Sequence, residues 1–462
     1  MRQYYGSRMS YNFHEIKRDE PYLLPPSMAE WLPENHLAWF ILDSVDQFDL
    51  KEFLVKYRCD GTGNTAFHPR MMLALLIYSY CQGVLSSRKI EILCVENVAY
   101  RVIASEYKPD HSTIARFRKD NLEAFRSVFT DVLRLCAKAG LVKVGKVAVD
   151  GTKIKANASM DANRTRETIE KEVAELLAQA HETDAQENAK FGDKRGDELP
   201  KGFDQRGAER LARLSACQMK IAAEDAAAKE EAKKSQEERA KKEAEAAEKG
   251  QKVRGKKPQP KAEEPEEPKA NTTDPESQML KEKQGFVQGY NMQAVVCDGG
   301  IVVAAEIADS ANDQGQFEPM IKAARKELDQ AGITDEIGLG LGDAGYCNPT
   351  SLTAELPLRD RLLATRNGRK LAKASQLETP ESAEASPREK MDRRLRTEEG
   401  KSLYKRRGAL VENRFGVAKE VHRLRRVSGR GKAFAMGEWA FVCLVMNLRR
   451  MWLLDCAAKA TQ

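Results

Sequence analysis

No Cys-x-x-Cys pair occurs in this chain, and its nine cysteines are scattered from Cys59 to Cys456. An odd, dispersed set supports neither a zinc knuckle nor a disulfide framework, so reduced thiols are expected. Long apolar runs are equally scarce. The longest, Met71–Tyr80 and Ala440–Met446, fall well short of the roughly 20 residues needed to cross a bilayer. The opening Met1-Arg-Gln-Tyr-Tyr5 has no signal-peptide core. These absences argue against membrane insertion and export, and a soluble cytoplasmic protein is the expectation.

What is present begins with size and charge. At 462 residues the chain is too long for one ordinary core, so two or three domains are expected. Formal net charge is only +6, yet the signs are unevenly distributed. From Lys401 to Lys432 eleven basic residues face only Glu412 and Glu420. A solvated helix face usually mixes signs, so this clustering reads as a nucleic-acid face.

Three acids stand out against that background. Asp150 ends the apolar run Val144–Asp150, and Asp343 ends Ile337–Asp343, both strand-like; Glu412 lies in the basic helical stretch Tyr404–Lys419. Two aspartates at strand ends and a glutamate among arginines suit a divalent metal held against phosphate. Carboxylates supply the hard oxygens that Mg²⁺ prefers, and the basic residues hold the polyanion. Each acid alone also has a structural reading, as an Asp-Gly turn, an Asx turn or an ion-pair partner.

Residues 1–66 read as a lead-in with short helices, including a helical pattern over Leu37–Phe53. From His68 to Gly140 the pattern is all-helical. Pro69 suits a first turn, Gly83 a stop, Ser86 or Ser87 the cap of a helix to about Ala99, and Asp110 the cap of a helix bearing Arg116, Arg118 and Lys119. That capped basic helix fits either the recognition helix of a helix-turn-helix or an ordinary bundle whose arginines face water.

Residues 160–270 are dominated by Ala, Glu, Lys, Gln and Arg. Ile169, Val173, Leu176 and Leu177 form one stripe, and Leu211, Leu214 and Met219 a second, which predicts an antiparallel helical hairpin inserted in the surrounding domain. Gly192–Gly207 reads as its loop and Gly250–Lys269 as a disordered tether. Strand signals resume with Phe286–Asp298 and Ile301–Ile307 around an Asp298-Gly-Gly300 turn. A helix (317–331), the Asp343 strand, a short helix (349–356), a strand (361–366), a polar loop-rich stretch (367–401), the Glu412 helix and a final apolar helix (433–454) follow.

Three antiparallel strands followed by alternating helix and strand predict a mixed α/β sheet flanked by helices, which resembles the ribonuclease-H-like fold. The expected domains are a helical, DNA-binding 1–140, a catalytic domain from 141–159 and 271–454, and the insertion 160–270. Five segments also resemble a known family: Ala148-Val-Asp150-Gly-Thr-Lys153; Thr273-Asp274-Pro275 with Gly289-Tyr290-Asn291-Met-Gln293; Asn312-Asp313; Gly342-Asp343-Ala-Gly-Tyr346; and Tyr404, Arg407, Glu412 and Lys419. Together they are similar to the DDE transposases of bacterial insertion sequences. Four residues separate Arg407 from Glu412, where the family signature is usually written with three.

The resemblance implies metal-dependent cleavage and strand transfer at the inverted-repeat ends of an element. Asp150, Asp343 and Glu412 would be the catalytic metal ligands for two Mg²⁺ or Mn²⁺ ions. It further implies DNA contacts by Tyr404, Arg407 and Lys419, to which the basic clusters add Arg414, Arg116, Arg118 and Lys119. The partners would be double-stranded DNA, as transposon ends and target, and a second copy of the chain during catalysis, in a nucleoid-associated, bacterial cytosolic setting. A plain metal-dependent nuclease of the same fold and a non-catalytic DNA-binding scaffold are the rival readings.

Overall fold

The computed structural model describes residues 27–57, 65–191, 205–248, 268–282, 285–365 and 385–460. Among them the chain opens with helices α1 (Leu37–Val45), α2 (Lys51–Leu54), α3 (Pro69–Cys81), α4 (Ser87–Glu96), α5 (Val98–Ile103), α6 (His111–Asp120) and α7 (Ala124–Lys138). Local chemistry sets the boundaries. Pro69 takes the first turn of α3, where its missing N–H is no loss, and Gly83 beyond its end takes φ +68°. Ser86 caps α4, and Asp110 caps α6 by accepting from the backbone of Ser112 and Thr113. Two predicted helices are each split by a side chain that starts a new one. Asp49 accepts from Lys51 N ahead of α2, and Asn97 accepts from Ala99 N and Tyr100 N ahead of α5.

The strands are β1 (Lys146–Lys155), β2 (Asn163–Thr165), β3 (Lys269–Asn271), β4 (Gln278–Glu282), β5 (Gly285–Cys297), β6 (Val302–Ala308), β7 (Ile337–Gly342) and β8 (Leu358–Leu363). β5, β1, β7 and β8 are successive neighbours in one mixed sheet, and β5 also pairs with β6 and β4. β1 is antiparallel to β5 and parallel to β7, and β7 is parallel to β8. This is the predicted mixed sheet flanked by helices, and it is consistent with a ribonuclease-H-like domain. β4 and the small β2–β3 pair were not expected from the sequence.

The run Ile337-Gly-Leu-Gly-Leu-Gly342 owes its glycines to close approach. A Cβ on Gly338 would strike the Gly145 carbonyl oxygen, and one on Gly340 would lie 3.1 Å from Phe317 of α10 (Phe317–Gln330). Because backbone at Gly145 cannot give way like a flexible side chain, Gly338→Ala is expected to destabilise the fold by about 1–3 kcal/mol. A lower urea midpoint at unchanged m-value would register this, and an unaltered midpoint would mean that the β1–β7 contact is slack.

After β7 come α11 (Pro349–Thr353), α12 (Pro387–Arg396), α13 (Glu398–Glu420) and α14 (Lys432–Ala460). The predicted polar loop 367–401 is corrected over its last part, since α12 and the start of α13 occupy it; 366–384 lies outside the described residues. α14 is buried at Ala435 and from Gly437 to Leu448, and it joins the N-terminal helices to the sheet. Its Trp439 donates to Gln293 O at 2.9 Å, while Asn447 pairs with both the N–H and C=O of Val302 at 2.8 Å. No helix among the described residues is long and apolar enough to cross a membrane.

Helices α8 (Arg166–Phe191) and α9 (Gln205–Glu248) pack antiparallel around a separate small cluster of Ile169, Leu214, Cys217 and Ile221. The predicted stripes need correction here, because Leu177 and Met219 are exposed while Cys217 and Ile221 face inward. Most of the expected loop (192–204) and tether (249–267) lies outside the described residues.

Candidate active site

The β1–β7 ladder pairs Val147 with Gly340 and Ala148 with Leu341. Two residues further along each chain stand Asp150 and Asp343, which therefore come side by side on neighbouring strands about 4.8 Å apart. Asp343 is the first residue past β7, and its Oδ1 accepts from Gly345 N at 2.8 Å. Asp150 does not end its strand as expected. β1 continues to Lys155 because β5 stays paired with it as far as Gly289.

Asp150 is 16% exposed and holds two donors. Its Oδ1 accepts from Gly151 N at 2.8 Å and its Oδ2 from Arg407 Nη1 at 2.9 Å. Burial pushes its carboxyl up to about 6 against the pull of Arg407 and the Gly151 N–H, and the charge of Asp343 adds to the rise. Ionising Asp150 here is therefore harder than in water, a condition that a bound cation reverses.

Glu412 lies apart from that pair. Arg407, only 15% exposed, reaches it through Nη2 at 3.5 Å, but the Glu412 side chain is 69% exposed. One guanidinium thus bridges the first and third predicted acids. The expected convergence of three carboxylates is present for Asp150 and Asp343 only, with Glu412 held at the rim by Arg407. Tyr404 sits beside this bridge, its ring centre 6.0 Å from the guanidinium carbon.

A third aspartate, Asp313 of the Asn312-Asp313 pair, occupies the site. Asp313 Oδ1 accepts from Asn291 Nδ2 at 3.0 Å and Gln293 Nε2 at 2.8 Å, and Tyr346 donates its hydroxyl to Gln293. Gly151 and Gly345 leave room for it: a Cβ on Gly151 would lie 2.8 Å from Asp313 Oδ1, and one on Gly345 3.5 Å from Asp313 Cβ. The hydroxyl of the buried Tyr346 is raised by burial and then by the charges of Asp313, Asp150 and Asp343. The signal was legible in β5, where Asn291 and Gln293 stand two residues apart, on one face, among the buried residues of the strand. Buried polar groups need partners, and these two converge on Asp313.

Among the described residues no group of three or more His, Cys, Asp or Glu side chains stands close enough to hold a metal ion. The donor chemistry nevertheless fits a hard divalent cation. Asp150 and Asp343 present carboxylate oxygens from adjacent strands, and the positive charge between Asp150 and Glu412 is that of Arg407.

The remaining predicted DNA contacts separate into groups. Lys419 and Arg414 are half-buried on α13, and burial lowers the Lys419 ammonium from its ordinary value. Arg116 and Lys119 are exposed on α6. Arg118 instead turns inward, donating to Tyr80 Oη at 3.2 Å and Leu85 O at 2.8 Å. Tyr80 in turn donates at 2.9 Å to the buried Glu438 of α14, which also accepts from Ser428. Arg118 is thus committed to tying α6 to the core, and Arg407 to the acids.

Residues 26–120 match a family model described as Transposase domain (DUF772), and residues 364–452 match one described as Transposase DDE domain. The second span contains Tyr404, Arg407, Glu412 and Lys419. No curated protein and no solved structure matches the chain.

Proposed function

We propose that this chain, a DDE transposase of an insertion sequence on the strength of its two matched domains, cuts the DNA backbone at the inverted-repeat ends of its element. It then joins the freed 3′-hydroxyl to target DNA. The observation that carries this reading is the register of β1 and β7, which brings Asp150 and Asp343 together beside Arg407. Asp150, Asp343 and Glu412 would hold two Mg²⁺ or Mn²⁺ ions, which supply activation of the attacking oxygen and charge neutralisation on the leaving oxygen.

The protein's own groups do the positioning. Asp150 must be ionised to act as a ligand, and Arg407 favours that state while orienting Oδ2. The Asp313–Gln293–Tyr346 network fixes the floor beneath the two aspartates. Water and a 3′-hydroxyl can occupy the same attacking position, so one site serves both in-line displacements. Arg414, Lys419, Arg116 and Lys119 would bind the duplex, and two copies of the chain would pair two ends. In the same reading 1–140 binds DNA, 141–159 with 271–454 does the chemistry, and the α8–α9 hairpin is an insertion serving assembly.

The test is a duplex carrying the inverted repeat that flanks the gene, incubated with Mg²⁺ and a second target duplex. Cutting at the repeat end with transfer of the new 3′-end to the target is expected. Sequence-independent nicking without joining would favour a plain nuclease, and binding without any cut would favour a scaffold.

A pH dependence follows from Asp150. Between its ordinary carboxylate value and about 6, the folded protein keeps a proton that the unfolded chain has lost. Stability of the metal-free protein therefore falls as pH rises through that window. Mg²⁺ should have the opposite pH dependence, raising the melting temperature by about 2–6 °C at pH 8 and negligibly at pH 5. Asp150→Asn should abolish the shift. A shift of equal size at both pH values would remove Asp150 from the ligand set.

A further inference from the structure

Two arginines meet without an acid between them at the turn from β5 to β6. Gly300 there has φ +73°, and a Cβ built on it would lie 3.7 Å from the guanidinium carbon of Arg414 and 3.8 Å from Nε of Arg450. Arg414 comes from α13 and Arg450 from α14, so two separate helices aim like charges into one small volume. Neither side chain makes an ion pair or hydrogen bond among the described residues, and Arg450 Nε is buried without a partner.

Such an arrangement is unfavourable unless an anion offsets it. Burial, and then the charge of Arg450, hold the Arg414 guanidinium below its ordinary value. The acid of this turn is already shared: Asp298 faces Arg406 at 3.6 Å and Lys146 at 3.9 Å. Four cations therefore surround a turn that offers one carboxylate, and the glycine leaves the space beside both guanidiniums open.

We propose that Arg414 and Arg450 form a binding site for a backbone phosphate of DNA, distinct from the catalytic acids. This rests on the transposase reading above and adds a fixed point for the strand. Guanidinium forks suit phosphate oxygens in both charge and geometry. β5 places Ala294 opposite Asp150 and Cys297 opposite Val147, so the turn begins about 10 Å from Asp150 along the strand. Because successive phosphates of one strand lie further apart than the rise of about 3.4 Å per nucleotide along the axis, the held phosphate lies within about three nucleotides of the one being cut. Arg406, adjacent to Arg407 in α13, makes the basic surface continuous between the two places.

The experiment uses the full chain and repeat-end duplexes in which one linkage at a time is a neutral methylphosphonate, titrated by fluorescence anisotropy. In the wild type, neutralising one linkage within about three nucleotides of the cut should weaken binding about tenfold. Arg414→Gln/Arg450→Gln should bind the all-phosphate duplex weaker by a similar factor, with its salt slope reduced by about 0.9. Neutralising that linkage should cost the double variant nothing further. A penalty that persists at full size in the variant, or no sensitive linkage in a wild type that binds and cuts, overturns the phosphate site and leaves the transposase reading standing. A wild type that does not bind repeat-end DNA overturns both. Should the double variant fail to fold by its melting curve, the single Arg414→Gln variant and the wild-type scan decide the matter in the same way.

Discussion

Asp343→Asn should cut repeat-end DNA about 10³-fold more slowly than the wild type while binding it undiminished. Asparagine keeps the size of the side chain and can still accept from Gly345 N, so the loop after β7 should hold. What disappears is the charge opposite Asp150, and with it one hard oxygen ligand. Glu412→Gln should behave likewise in a single-turnover cleavage assay, with binding equal to the wild type or slightly tighter as repulsion of phosphate falls. Most of that side chain lies in water, so the substitution should leave the melting temperature unchanged. A variant retaining a tenth or more of the wild-type rate would remove that residue from the chemistry.

The second large effect concerns Arg407. Removing one partner of a buried charge pair strands the other, at a cost of about 3 kcal/mol or more. Asp150 limits that cost because it can take up a proton, its carboxyl already standing near 6. Metal-free Arg407→Ala should therefore lose about 3 kcal/mol at pH 8 but less than about 1 kcal/mol at pH 5. Urea unfolding at the two pH values measures this, and saturating Mg²⁺ at pH 8 should recover part of the loss. A pH-independent loss would assign Arg407 a packing role rather than a charge-balancing one.

Much of the fold could be read from the chain because its signals are local. Pro69, Gly83, Ser86 and Asp110 punctuate helices through their own backbone chemistry, and the β5–β6 turn lies where Asp298-Gly-Gly300 predicts it. The apolar run Val144–Asp150 stops at Asp150, which predicts a strand end there. The strand continues because its pairing is with β5, whereas the shared ladder with β7 does stop short of Asp150. α12 has few apolar residues to give a helical stripe, and its local signal is Ser386-Pro-Arg-Glu389, a capping box with proline in the first turn. In α9 the inward stripe runs through Leu214, Cys217 and Ile221 and leaves the expected Met219 exposed, with Cys217 packing as a small hydrophobe.

Side-chain direction lay further out of reach. Arg116, Arg118 and Lys119 share one short helix, and composition cannot tell that Arg118 alone turns toward Tyr80. The resemblance assigns Arg407 to DNA and leaves an ion pair with Glu412 as the alternative, whereas its two terminal nitrogens engage both Asp150 and Glu412. Asp313 needed the register of β5, because only folding brings Asn291 and Gln293 onto its carboxylate.

Sulfur substitution at the scissile phosphate tests the central claim most directly, because it links the carboxylates to a metal on the reacting group. With sulfur at a non-bridging oxygen, the wild type is expected to cut slowly in Mg²⁺ and to recover in Mn²⁺, which accepts the softer ligand more readily. Asp343→Asn is expected to stay slow in both. Cutting at an undiminished rate with sulfur present and all divalent cations chelated would contradict a metal site built on Asp150, Asp343 and Glu412.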